Sequence, residues 1–471
     1  MDNIFGGGNI VEKIKINDII RVCNGKLLTE CNDFEVEYFS KDTRSIMPGD
    51  MYVAIKGEKF DGNEFIEDAL RKEACGCIID IDISDEIKNK YKNRAIIKVE
   101  NSLKAIQKLA KYKRELYDIP VVAVTGSVGK TSTKDIIASV LSEKYNVLKT
   151  EGNQNNDIGL PFTILKLKDH TAAVIEMGMN HFGEIRLLSN IAKPTIAVIT
   201  NIGTSHIGNL GSRENILKAK LEILEGMKQN GTIIINNDND LLHKWAEENK
   251  SNYNILKVGI DSESSDFKAY NIKEEETESF YNIDIENKKY YIEIPVGGKH
   301  FVYNSLSALA VGKSLDIEIE KISDGISKFC LTSKRMEITK IKDDITVIND
   351  SYNASYDSVK AVLEYLSTIK ANRKIAILGD MLELGEYTKE LHQKVGEEVV
   401  KNKIDILITV GEYSKDISKK ARELHMNEIY ECENKEEATE KIKDIMRSGD
   451  AIVLKASNAM KLGEILENLK K

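Results

Sequence analysis

Four short apolar runs, at residues 121–124, 172–175, 196–199 and 232–235, punctuate the middle of the chain. The stretches between them, about 25 to 50 residues long, carry apolar side chains at the 3.6-residue period of helices that bury one face. Runs without polar alternation are typical of strands covered on both faces, so the segment is predicted to form a mostly parallel sheet layered between helices. Between residues 267 and 294 the period drops to two, as in Tyr281-Asn-Ile-Asp-Ile285 and Tyr290-Tyr-Ile-Glu-Ile294, which predicts an antiparallel appendage.

A second series follows the same rule. Thr346-Val-Ile348, Lys374-Ile-Ala-Ile-Leu378, residues 404–410 and Ala451-Ile-Val-Leu454 each precede helical periodicity, predicting a Rossmann-like sheet with ligands at its strands' carboxyl ends. Ahead of the central segment the pattern is mixed, with short strands at 51–55 and 77–80 and a helix at 102–115. Ile119-Pro120 ends that helical pattern, because proline pushes the residue before it out of the α region. At 471 residues, against a usual ~100–200 per domain, the chain is read as three α/β domains, residues 1–118, 119–331 and 332–471.

Composition adds exclusions. Hydrophobic residues at 41% and only five prolines supply several cores and leave no signature of disorder. A formal charge of -9 without a long basic block excludes nucleic acid and an anionic membrane as main partners, while leaving room for a local phosphate site. Cysteines 23, 31, 75, 77, 330 and 432 show no CxxC spacing and read as reduced, buried thiols, with Cys75-Gly-Cys77 as packing rather than metal binding. Residues 1–10 hold glycines and Asp2 where a secretory signal needs a basic start and an apolar core, and no run reaches the roughly 18 apolar residues of a membrane span. A cytoplasmic protein is expected.

The strongest chemical signal follows the first central strand. Gly126-Ser-Val-Gly129-Lys130-Thr131-Ser132 joins the run 121–125 to a segment with apolar positions at Ile136, Ile137, Val140 and Leu141. In such a strand, loop and helix the glycines let backbone N–H groups face phosphate oxygens, the helix start adds positive potential, Lys130 supplies a mobile cation and the Thr131 hydroxyl suits Mg²⁺. Strict GxxxxGK[ST] spacing fails, since its first glycine would fall at Val124. The loop is a shorter one.

Two further residues end or follow buried strands, and a third lies in a helical stretch. Glu176 closes the run from Ala172 and would bring a carboxylate beside the loop, where a hard cation wants oxygen ligands. His206, in Thr200-Asn-Ile-Gly-Thr-Ser-His206, sits on the same predicted edge. Lys220, in Lys218-Ala-Lys220-Leu-Glu222, falls in a helical stretch where lysine is ordinarily solvated.

Together these segments carry a resemblance. Thr125-Gly-Ser-Val-Gly-Lys-Thr-Ser-Thr-Lys134, Gly152-Asn-Gln-Asn-Asn-Asp-Ile-Gly-Leu-Pro161, Glu176-Met-Gly178 with Gly183-Glu-Ile185, and Thr200-Asn-Ile-Gly-Thr-Ser-His206 resemble, in that order, the ATPase domain of the Mur ligase family. Asp42-Thr-Arg44, Pro48-Gly-Asp50 and Lys56-Gly-Glu-Lys-Phe-Asp61-Gly62 resemble the uridine-nucleotide segment of its D-alanyl-D-alanine-adding branch. Asp350-Ser-Tyr-Asn353, Leu378-Gly-Asp-Met-Leu-Glu-Leu-Gly385 and His392 are similar to the same branch, so the resemblance spans nearly the whole chain.

The resemblance implies an ATP-dependent, ADP-forming ligase that joins D-alanyl-D-alanine to a UDP-N-acetylmuramoyl tripeptide through an acyl phosphate, a step of peptidoglycan synthesis, acting as a monomer. The first domain would bind the UDP precursor, the central one ATP. By position, Lys130 would bind ATP phosphates with Gly126, Ser127, Gly129, Thr131 and Ser132, while Asn304 would contact adenine. Arg335 and Asp350 would add nucleotide contacts from the third domain. Thr131 and Glu176 would hold one Mg²⁺, and His206 and a carbamylated Lys220 a second. Lys130, His206 and Lys220 form the implied catalytic set, while Asp42, Thr43, Arg44, Lys56, Gly57, Asp61, Asn155 and Asn156 form the implied substrate contacts.

Departures from the branch cluster late in the chain. Ser355-Tyr356 stands where Asn-Pro is usual, Asn349 replaces the first of two aspartates, and Lys455-Ala-Ser-Asn458 replaces Lys-Gly-Ser-Arg. Loss of a guanidinium at 458 should weaken the hold on a dipeptide carboxylate, with Lys455 or Lys461 as the nearest substitutes in sequence. D-Alanyl-D-alanine remains the expected amine. The rivals are a Mur-type ligase with another amino acid or peptide acceptor, and a nucleotide-binding paralogue without catalysis, against which intact Lys130, Thr131, Glu176, His206 and Lys220 count.

Overall fold

Val121–Thr125 carries no polar alternation because it lies inside a nine-stranded sheet, with every one of its residues buried. Its neighbours are Ala172–Glu176 on one side and Ile196–Ile199 on the other, both parallel to it. Beyond Ala172–Glu176 lies Val147–Lys149; beyond Ile196–Ile199 come Thr232–Asn236, Asn254–Gly259 and Phe267–Glu274, all in parallel register. Ser279–Ile285 and Lys288–Ile294 then extend the same sheet in antiparallel fashion. The expected appendage is therefore continuous with the sheet, and its period of two is explained by burial of Ser279, Tyr281, Ile283 and Ile285 alone along the first of these strands.

The chain is a computed structural model that describes residues 13–57, 59–249, 253–332 and 334–470. Residues 1–10, where no signal segment is expected, lie outside the described residues, as does Glu58 of the Lys56–Gly62 motif. Among the described residues no helix is long and apolar enough to cross a membrane.

Ahead of the central sheet stands a five-stranded one, ordered Lys26–Leu27, Ala95–Lys98, Gly76–Ile79, Met51–Val53, Phe39–Ser40, parallel except at its first pair. Cys77 is buried in Gly76–Ile79, as a packing residue should be. The six cysteines are free, yet Cys330 is exposed and Cys31 and Cys75 are only partly covered, which corrects the expectation of buried thiols. These three positions lie outside regular strands and helices, where no sheet or helix face covers them.

The joint between this unit and the central sheet is a buried cation. Arg114, near the end of helix Ser102–Glu115, donates to the carbonyls of Ala192 at 2.8 Å and Tyr117 at 2.6 Å, and to those of Ile119 and Lys193 at 3.3 Å. Two of these oxygens end helix Glu184–Ala192, whose negative terminus suits a guanidinium.

The last sheet has six strands, ordered Glu337–Ile341, Ile345–Asn349, Ala451–Lys455, Lys374–Gly379, Ile406–Val410, Ile429–Cys432. Only the Glu337–Ile341 edge is antiparallel. The strand entering from Ile345 and the one at Lys374 are separated by Ala451–Lys455, so the connection reverses there and opens a crevice at the carboxyl ends.

The crevice faces the central domain across several contacts. Asp357 Oδ2 accepts from Thr204 N at 2.7 Å and Thr204 Oγ1 at 2.9 Å, Tyr387 Oη donates to the Gly211 carbonyl at 2.6 Å, and Tyr365 Oη donates to the Glu276 carbonyl. Where the chain crosses between the two sheets, Thr332 Oγ1 donates to Asp135 Oδ2 at 2.8 Å.

Candidate active site

The phosphate loop is shaped by glycines that nothing else could replace. Gly126 has φ +151° and a Cβ there would collide with the Thr200 hydroxyl, while Gly129 has φ +81° and lies against Asn304. Segment 200–205 braces the loop: Ser127 N donates to the Asn201 carbonyl at 3.1 Å, Val128 N to Asn201 Oδ1 at 3.0 Å, and Thr200 Oγ1 to the Val128 carbonyl at 2.6 Å. Helix Lys130–Leu141 starts directly after, so its first N–H groups, which lack intrahelical acceptors, form the cradle's floor.

Lys130 folds back over this cradle, with Nζ 2.8 Å from the Gly126 carbonyl and 3.3 Å from that of Ser127. Burial lowers its pKa first of all; Glu176 opposes the shift and Arg335 adds to it. The Thr131 hydroxyl donates to Glu176 Oε2 at 2.8 Å, Asn155 Nδ2 donates to Oε1 at 2.7 Å, and Glu176 itself is 2% exposed. Parallel register of Glu176 with Val124 makes this meeting inevitable once the sheet forms.

Asn304, on helix Lys299–Ser314, accepts from Thr133 Oγ1 at 3.0 Å, and its buried Nδ2 has no partner among the described residues. The Arg335 guanidinium lies over the Tyr352 ring at 3.9 Å, and its buried Nε is likewise unpartnered. Asp350 Oδ2 takes Lys455 Nζ at 2.6 Å, and Lys455 also donates to the carbonyls of Asp350 and Asn353 at 3.2 and 2.8 Å. Two buried orphan donors and a lysine-bearing glycine cradle suit a polyphosphate nucleotide.

One cavity of about 460 Å³ joins these groups, lined by Ser127, Gly129, Lys130, Thr131, Ser132, Asn155, Asn156, Glu176, His206, Asn304, Arg335 and Asp350. His206, at φ +64°, places Nδ1 2.7 Å from Glu383 Oε2 of the last domain. Lys220 is 1% exposed on helix Arg213–Leu221, contrary to the solvated reading. Its pKa falls well below the ordinary lysine value through burial foremost and then Lys130's charge, so the two lysines lie near one another.

The implied uridine contacts form a separate group that does not line this cavity. Parallel strands Phe39–Ser40 and Met51–Val53 release residues 41–44 and 54–57 from the same sheet edge. There Arg44 grips Asp42 with two donors at 2.9 and 2.6 Å, holding that carboxyl down to about 2. The Thr43 carbonyl accepts from Lys72 at 2.8 Å, Gly57 N donates to the Phe60 carbonyl at 2.9 Å, and Lys56 stands 4.0 Å from Asp61.

Asn155 touches Glu176, which sets it at the phosphate end of the cavity. Lys455 is 2% exposed and committed to Asp350, and Lys461 is not among the described residues that line a cavity with Asn458. Sequence reasoning missed His300, Tyr352 and Glu383; His300 lines the cavity, its pKa pushed down to about 4 by burial, with Asp350 opposing and Lys455 reinforcing. Tyr352 and Glu383 lie inside the motifs at 350–353 and 378–385, and His300 lies four residues before Asn304, but no spacing rule singles them out.

Fold and site together define a P-loop nucleotide enzyme of three α/β units. Matching models are the "Mur ligase family, catalytic domain" at residues 36–114, the "Mur ligase middle domain" at 124–312 and the "Mur ligase, glutamate ligase domain" at 334–458. The chain belongs to the Mur ligase family. A UDP-N-acetylmuramoyl-tripeptide--D-alanyl-D-alanine ligase of Bacillus subtilis is 37% identical over 432 residues, 91% of this chain and 92% of that one. A MurF crystal structure from Acinetobacter baumannii superposes with TM-score 0.89 at 27% identity, covering 98% and 99% of the two chains. MurF from Thermotoga maritima in complex with ADP gives 0.81 at 28%, covering 92% and 97%.

Proposed function

We propose that this chain joins the carboxyl end of a UDP-N-acetylmuramoyl tripeptide to the amine of D-alanyl-D-alanine, with ATP cleaved to ADP and phosphate, in cytoplasmic peptidoglycan synthesis. The observation that carries it is the single cavity shared by the Lys130 loop, Glu176 and the crevice of the last domain. The substrate carboxylate takes the γ-phosphoryl group, ADP departs, the amine attacks the acyl phosphate, and phosphate leaves as the amide forms.

Lys130 bears on charge gathering at the phosphoryl oxygens, and the helix start beneath it adds fixed dipoles. Asn304 Nδ2 and Arg335 Nε are open donors for the nucleotide, and the Asp350–Lys455 pair keeps the crevice in shape. Asp42, Thr43, Arg44, Lys56, Gly57 and Asp61 serve the uridine end at the first sheet's edge, which anchors the precursor away from the chemistry.

Mg²⁺ suits the donor set at Thr131 and Glu176, a hydroxyl and a carboxylate 2.8 Å apart, both hard oxygen ligands. His206 offers the ring nitrogen not engaged by Glu383, and Lys220 would supply the oxygen ligands that Mg²⁺ prefers only as a carbamate. Among the described residues no cluster of three or more His, Cys, Asp or Glu could hold a metal, so much of the coordination would come from phosphate and water. When bound, the ion supplies positive charge to the transferring phosphoryl group.

The test is ADP release by the purified protein with a UDP-muramoyl tripeptide and a panel of amines. Release that requires both the tripeptide and D-alanyl-D-alanine is expected. A different amine strongly preferred, or ADP release indifferent to the tripeptide, overturns the reading.

A further inference from the structure

Beside the nucleotide cavity lies a smaller one of about 250 Å³, which shares segments 205–206 and 352–355 with it and takes its other walls from segments 382–384 and 457–459. That volume is below the usual ~300–1,000 Å³ of drug-sized ligand sites and suits something the size of a dipeptide. Its acidic and basic side chains are Glu383 and His206, which touch each other at 2.7 Å, and Tyr352 adds a phenol. The Glu383 side chain is 52% exposed and its Oε1 makes no hydrogen bond among the described residues, which leaves an anionic oxygen for a second donor.

The rest of the lining is neutral. Ser457 Oγ accepts from Leu382 N at 2.9 Å and holds the two segments together, and Asn458 is exposed beside it. Among the described residues no lysine or arginine lines this cavity. The nearest cation in sequence, Lys455, is turned to Asp350 and two carbonyls.

We infer that this cavity is the acceptor subsite of the ligase reaction, that Glu383 holds the amine end of the incoming dipeptide, and that the far end meets only neutral partners, Asn458 among them. The inference rests on the ligase reading proposed above. An asparagine amide presents both a donor and an acceptor, so it pairs equally with a carboxylate or a carboxamide, whereas a guanidinium only donates. The acceptor is therefore selected by its amine and its size, and a dipeptide with an uncharged carboxyl terminus is used nearly as well as the free acid.

Steady-state kinetics with D-alanyl-D-alanine and D-alanyl-D-alaninamide, at saturating ATP and tripeptide, test this. The wild-type kcat/KM values should agree within about threefold, the scale of a neutral hydrogen bond. Asn458→Arg should shift the ratio toward the free acid by about tenfold or more, as a charge-assisted bond does. Glu383→Gln should raise KM for both acceptors far more than KM for the tripeptide, a split that a general loss of folding would not produce. A wild-type preference for the free acid above about thirtyfold, or unchanged acceptor KM in Glu383→Gln, overturns the inference. No turnover with either acceptor removes the ligase reading itself.

Discussion

Lys455 and Asp350, 105 positions apart, meet at 2.6 Å because Lys455 ends, and Asp350 follows, a strand in one parallel pair, Ile345–Asn349 beside Ala451–Lys455. The ammonium is 2% exposed and satisfied by three oxygens, so the pair is a buried network rather than a surface contact. Removing one member leaves the other charged in a largely buried setting. Lys455→Met should cost about 3 kcal/mol in denaturant unfolding, and Asp350→Asn combined with it should cost less than the two singles summed. Additive losses in that cycle would show that the two residues act independently.

Lys130 has no surface role to lose, since its ammonium lies over the loop carbonyls of Gly126 and Ser127. Lys130→Ala should abolish ADP formation while leaving the unfolding free energy within about 1 kcal/mol of wild type. Full turnover of that variant at saturating substrates would eliminate the phosphate-loop assignment.

Lys220 is buried with its pKa depressed, which favours the neutral amine that can add carbon dioxide. Isotopically labelled bicarbonate should give a carbamate carbon signal in wild type that is missing in Lys220→Ala, and short carboxylic acids should partly restore activity to the variant. An unlabelled, fully active wild-type protein would contradict the carbamate.

His300 is held neutral, its pKa lowered to about 4 against an ordinary 6.5. The unfolded chain takes up a proton near 6.5 while the folded one resists, so stability is greatest above that value, declines as pH falls from 6.5 to about 4, and levels off below. His300→Gln should flatten that decline by on the order of 2 kcal/mol in denaturant melts between pH 7 and 4. An identical slope in variant and wild type would place the titration elsewhere.

Arg44 and Asp42 form an exposed pair at the edge of the first sheet, and such pairs contribute roughly 0–1 kcal/mol. Arg44→Ala should therefore leave thermal stability unchanged and raise KM for the UDP-linked substrate, with kcat nearly constant. A fall in kcat alone would detach this edge from precursor binding.

The chain's own pattern determined the strands buried on both faces, because covering both faces removes every polar residue from runs such as Val121–Thr125 and leaves a local trace. It determined the phosphate loop as well, since glycines, lysine and threonine act within seven consecutive positions between a strand and a helix. Short strands at the margins, Val147–Lys149 and Ile429–Cys432, left no such trace, as a few half-covered residues resemble any loop. Tertiary structure alone decided which groups share a cavity. Lys220 reads as a solvated helical lysine until its helix is packed, Lys455 reads as a free cation until Asp350 arrives from the neighbouring strand, and Glu383 gains meaning only when the last domain brings it to His206. Burial and charge pairing depend on which distant segments become neighbours, and parallel sheets, whose adjacent strands are separated by whole helices, place that information beyond any local window.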